Sequence, residues 1–185
     1  MPSKKQGNDK NTRRKWLLKI SIITLILTYI LGILSEMFVR NMENTFFALL
    51  AIFFIILTGV IFDTIGIAVA AAEEVPFLSM ASKKIKGANQ ALILIRNASQ
   101  VSSFCNDVVG DICGILSGSA GTILVARLVI VGKSLDEAFL SILISSLIAA
   151  LTVGGKAFGK SFAMENSQRI VLSVGRILSV FDKQA

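Results

Sequence analysis

Histidine is absent from this 185-residue chain, tryptophan and tyrosine occur once each, and cysteine and proline only twice each. With no histidine, and with cysteines only at 105 and 113, the chain has no CxxC pair, no disulfide framework and no zinc or haem ligand set. Cys105 and Cys113 are expected to pack as small residues between helices. A nucleophile triad, a P-loop and a dinucleotide fingerprint are also missing. The chain is not expected to be an enzyme. Charge is scarce too: 17% of residues are Asp, Glu, Lys or Arg. Asp63 is the single charge between Glu43 and Glu73.

What fills these gaps is apolar. The composition is 54% hydrophobic and the mean hydropathy is +0.72. About 20 apolar residues suffice to cross a bilayer, and four segments qualify: 16–39, 45–72, 101–131 and 138–155. The runs are continuous rather than alternating, which argues against a barrel. The expected fold is an all-α membrane protein with four transmembrane helices. A cytoplasmic interfacial helix lies between the second and third, and an amphipathic juxtamembrane helix ends the chain. The division is a basic tail at 1–15, a transmembrane domain at 16–160 and the juxtamembrane helix at 161–185. The first segment reads as an uncleaved transmembrane helix, because no small-x-small cleavage site follows its apolar run.

The net charge of +7 is distributed by loop. Lys4, Lys5, Lys10, Arg13, Arg14 and Lys15 precede the first segment. Lys83, Lys84, Lys86 and Arg96 lie between the second and third, and Lys156, Lys160, Arg169, Arg176 and Lys183 follow at the end. The other two connections carry few basic residues. This alternation predicts a multi-pass plasma-membrane protein with both termini cytoplasmic. It requires no nucleic-acid partner; the bilayer, including its anionic lipid, is the expected one.

Between the second and third segments, Pro76 is expected to break the helix after Glu73 and Glu74. The stretch SKKIKGANQALILIRNASQ from Ser82 then reads as a cationic amphipathic helix. Ile170, Val174, Ile177, Leu178 and Phe181 repeat at helical spacing in the tail.

The third segment concentrates the unusual residues. Gly110, Gly114 and Gly118 recur every fourth position and predict a close-packing stripe, within the bundle or in a homodimer. Asp107 and Asp111 stand one helical turn apart beside Asn106, and two such carboxylates repel. They need protonation, a basic neighbour or a cation. Asp63 and Thr64 belong to the same depth of the bundle. Asp63, Asn106, Asp107 and Ser117 together offer the oxygen ligands that Mg²⁺ prefers, with Asn106 and Asp107 as its nearest donors. Lys156 and Lys160, one turn apart on the fourth helix, are the competing charge partners.

The stretch ALTVGGKAFGKSFAMENSQRIVL, 150–172, resembles the end of the transmembrane domain in the CorB/CorC/cyclin-M magnesium-transport family. That family closes its last crossing with Gly-Glu-x-x-Pro-Lys and continues into an Asn-Pro-Glu-Arg-like helix start. Here the residues are Gly155-Lys156-Ala157-Phe158-Gly159-Lys160 and Glu165-Asn166-Ser167-Gln168-Arg169. Phe104-Cys105-Asn106-Asp107-Val108-Val109 is similar to the family's Ile-Gly-Asn-Thr-Leu-Val signature. The resemblance covers about 49–176 and concerns the transmembrane domain, not the family's cytoplasmic paired sensing modules. It implies transport of Mg²⁺ or Co²⁺ and makes Asn106 a cation ligand. Lys156 replaces the family's last-helix acid and Gly159 its proline, so Asp–Lys pairs in a non-transporting scaffold or regulator are the alternative. A remote alternative is an intramembrane aspartyl protease using Asp63 and Asp111. Val109-Gly110-Asp111 only partly matches the Gly-x-Gly-Asp motif of those enzymes.

Overall fold

The computed structural model describes Leu18 and residues 20–37, 44–131 and 137–181. These residues are helical or lie in short turns, and no strand occurs among them. The expected basic tail at 1–15 lies outside the described residues. Among the described residues, four helical stretches are long and apolar enough to cross a membrane: Ile20–Met37, Thr45–Ala71, Ala98–Ile130 and Ala138–Glu165. The first of these is α1.

Helix α2, Thr45–Ala71, begins where Asn44 Oδ1 accepts the Phe46 amide hydrogen at 2.9 Å, satisfying one of the open donors of the first turn. It is apolar on every side, as a helix must be when lipid or protein surrounds it. It forms the hub of the bundle. It ends at Ala71, and Ala72 and Glu73 are extended. Helix α3, Glu74–Ser82, follows. Pro76 therefore does not make the break after Glu74. It sits in the first turn of α3, where its missing N–H leaves no hydrogen bond unmade.

The amphipathic helix expected from Ser82 is divided. The Lys84 amide donates to the Ala81 carbonyl at 2.9 Å and the Ile85 amide to the Met80 carbonyl at 3.0 Å. This pair of bonds closes α3 in a Schellman turn, with Lys84 at φ 54° in the position glycine usually holds. Gly87, at φ 88°, then opens α4, Ala88–Arg96. Arg96 Nε bonds back to Glu74 Oε1 at 2.7 Å, tying α4 to α3.

The third crossing is one continuous rod: α5 (Ala98–Ser103), a π-helical segment (Phe104–Gly110) and α6 (Asp111–Val131). The fourth crossing, α7 (Glu137–Glu165), runs past the expected end at 155, since neither Gly154-Gly155 nor the lysines beyond break the backbone hydrogen bonding. After a turn at Asn166 comes α8, Ser167–Phe181.

Three apolar clusters order the bundle. Ala48, Ile52 and Ile56 of α2 pack on Ala120 and Leu124 of α6. Val108, Ile112 and Leu116 meet Ile20, Leu27 and Leu31 of α1. At the other end of α2, Ala68 and Val69 join Phe77, Ala91, Leu92, Ala163 and Val171, which fixes α3, α4 and α8 against the ends of α2 and α7. Asp63 falls between the first and last clusters along α2.

Candidate functional site

Asp63 is 8% exposed on the hub helix. Small residues bring its neighbours in. A β-carbon on Gly59 would fall 2.8 Å from Cys113 Cβ, and one on Gly66 would meet Asn106. On another side, a β-carbon on Gly155 would lie 2.8 Å from Val60 Cγ2, and one on Gly159 would collide with Thr64 Oγ1. α2 is thus in backbone-level contact with both the third rod and α7. Cys105, buried, and Cys113 fill the α2 interface and are free thiols.

Gly110 provides the space in which the charges meet. A β-carbon there would be 3.5 Å from Lys156 Nζ and 3.7 Å from Asp63 Oδ1. Lys156 Nζ donates to Asp111 Oδ1 at 3.2 Å, linking α7 to α6. Its ammonium therefore stands near the carboxylate of α2 while bonded to the carboxylate of α6. Among the described residues, no hydrogen bond or ion pair holds Asp63 itself. The charges around it are Lys156 and Lys160, Asp107 and Asp111. Lys156 and Lys160 attract; the two carboxylates repel.

Asn106 lies along α2 at Gly66. Its Nδ2 faces Ser102 Oγ at 3.4 Å, whereas its Oδ1 is buried without a hydrogen-bond partner. The π-helical segment sets this arrangement. Its bonding runs i→i+5 rather than i→i+4, which turns the residues beyond it relative to a uniform α-helix. Asn106 turns towards α2, while Asp107 and Asp111 remain exposed.

The remaining expected site residues are placed otherwise. Thr64 Oγ1 donates to the Val60 carbonyl at 2.7 Å and packs on Gly159. Ser117 is fully buried and donates to the Gly114 carbonyl at 2.9 Å, so its hydroxyl serves its own helix rather than the acids. Lys160 is exposed one turn beyond Lys156. Of the glycine stripe, only Gly110 lies at an interhelical contact. Gly114 and Gly118 have nothing within 4 Å of a would-be β-carbon. The close packing between the spanning helices belongs instead to Gly59, Gly66, Gly121, Gly155 and Gly159, and Gly87 and Gly175 bring α4 against α8. Among the described residues, no group of three or more carboxylate or thiol side chains is gathered as a metal-holding set.

Sequence reasoning missed the π-helical segment, for which no residue type is diagnostic. It also missed the Gly155–Gly159 groove on α7, which the four-residue glycine spacing could have revealed.

Four apolar helices of spanning length around a buried carboxylate and a tethered ammonium define the class: a helical membrane protein with a charged interior. No protein-family model, curated protein or solved structure matches the chain.

Proposed function

We propose that this is a plasma-membrane protein with both termini cytoplasmic, in which Asp63, Asp107 and Asp111 handle a small cation and Lys156 is the tethered competitor for the same place. The CorB-like resemblance makes Mg²⁺ or Co²⁺ the cargo. The observation that carries this reading is Asp63: a carboxylate on the central helix, nine-tenths buried, with no direct partner among the described residues. Such a charge costs roughly 2.5–3.5 kcal/mol at mid-membrane on insertion scales, and residues of this kind mark ion and proton pathways. The unpaired Oδ1 of Asn106 adds a second oxygen on the same side of α2. Asp111 is 64% exposed on a spanning helix. A carboxylate is not tolerated against lipid chains, so this face meets water or a second copy of the chain. The segments α3, α4 and α8 form the cytoplasmic interfacial layer.

Liposome flux of Mg²⁺ and Co²⁺ tests the reading. Wild-type flux is expected to be low, Lys156→Ala is expected to raise it, and Asp63→Asn is expected to abolish it. No flux in any of the three would exclude transport.

The second reading is a non-transporting scaffold or regulator, favoured by the 3.2 Å bond between Lys156 and Asp111. There the lysine neutralises the acids permanently, and Mg²⁺ leaves the melting temperature unchanged.

A further inference from the structure

Away from the Asp63 cluster, the turn between α3 and α4 and the neighbouring end of α8 enclose a cleft of about 550 Å³. Its walls include Lys84, Lys86, Gly87, Asn89, Gln90 and Ser179, and no carboxylate lines it among the described residues. The N-terminus of α4 opens into it. That nine-residue helix has no side-chain cap. The Ala88 amide donates to the Ile85 carbonyl at 3.1 Å, but the amides of Lys86, Gly87, Asn89 and Gln90 make no such bond. Free amides at a helix start carry partial positive charge and suit an anion.

A helix start alone is common. Gln90 distinguishes this one. It is 7% exposed, yet its side-chain amide has no hydrogen-bond partner and its polar atoms are not sealed in the protein. Gln90 is one of the residues that line the cleft. A glutamine buried to this degree normally satisfies its amide within the protein. Here no protein group does so, and the space that Gln90 borders is the cleft.

Lys84 points the same way. Its φ of 54° is a conformation that glycine adopts freely and other residues rarely do. Lys84 thus lines the cleft in a backbone conformation that glycine would adopt with less strain.

We propose that this cleft binds a phosphate monoester. Two lysines, the unbonded backbone amides and Gln90, all lining the cleft, offer the donors suited to a compact group with three strong acceptor oxygens and a charge near −2. Such a group can come from a phosphorylated inositol lipid or from free phosphate in solution.

The test uses the full chain in a neutral detergent, with melting temperature as the readout. The probes are inorganic phosphate and short-chain phosphatidylinositol 4-phosphate at matched ionic strength, with short-chain phosphatidylserine as the diester control. A ligand selective for the folded state raises the melting temperature. Stabilisation by the inositol lipid at about tenfold lower concentration than by inorganic phosphate assigns a lipid source. Equal potency assigns a soluble one. Lys84→Gly, which suits the left-handed backbone, and Lys86→Gln are each expected to weaken binding about tenfold. Gln90→Met, which keeps the volume, is expected to do the same. Lys83→Gln, at an exposed lysine that does not line the cleft, is expected to change nothing. The proposal is overturned if neither monoester stabilises the protein, if phosphatidylserine does so equally well, or if Lys83→Gln weakens binding as much as Lys84→Gly.

Discussion

The side-chain oxygen of Asn106 occupies the space that a β-carbon on Gly66 would need. The two residues belong to different crossings, and their contact sets how closely the third rod approaches the hub helix one turn from Asp63. A methyl group at Gly66 would have to displace Asn106 and then Cys105, whose Cβ is 2.9 Å from the same point. Gly66→Ala is therefore expected to destabilise the protein by about 2 kcal/mol, the usual range for overpacking. Thermal unfolding in detergent measures it. An unchanged melting temperature would mean that the two crossings separate without loss.

Asn106 itself is expected to behave unlike a structural residue. Its Oδ1 is buried and unbonded, a condition that costs about 1–3 kcal/mol. Asn106→Leu removes the unsatisfied oxygen at similar volume, so the melting temperature should hold or rise. Cation flux, if Asn106 is a ligand, should fall. Losing stability and flux together would instead assign Asn106 to packing.

Much of the architecture was legible in the sequence, because lipid imposes long apolar runs and these are visible by length alone. The residues 45–72 predicted α2 to within one position of its observed end at Ala71. The site was less legible. Asp63, Asp111 and Lys156 were identifiable as charges that must be accommodated, but which acid the lysine bonds depends on rotation about the helix axes. That rotation is set by the π-helical turn and by the glycines of α2 and α7. A periodic count of residues assumes uniform α-helical spacing and so misses the change of phase that the π-helical segment introduces ahead of Asp111. It also assigned the packing to Gly114 and Gly118, since their spacing shows a small face but not whether that face is turned inward.

For Lys156, removal leaves Asp63 buried with Lys160 as the remaining cation near it among the described residues. Breaking a fully buried pair costs about 3–5 kcal/mol. Lys156 is 27% exposed and Asp111 64% exposed, so a loss of about 1–2 kcal/mol is expected for Lys156→Ala after solvent screening. Adding Asp63→Asn should restore most of it. A double-mutant cycle gives the coupling directly, and a coupling near zero would show that Lys156 serves Asp111 alone.

Gly114→Leu and Gly118→Leu should leave the protomer folded, because nothing lies within 4 Å of either position. If the open face of α6 joins two copies, both variants should shift the protein from dimer to monomer in size-exclusion chromatography with light scattering. A dimer unaffected by both leucines would place the interface elsewhere.

The wide turn from Phe104 to Gly110 has a mechanical consequence. An extra residue held in a helix offsets everything beyond it, by about 100° per residue. Asp111 is the first residue after that offset. Its carboxylate is therefore aimed by the wide turn, and deleting Val109 is expected to carry it off Lys156 and break the 3.2 Å bond between them.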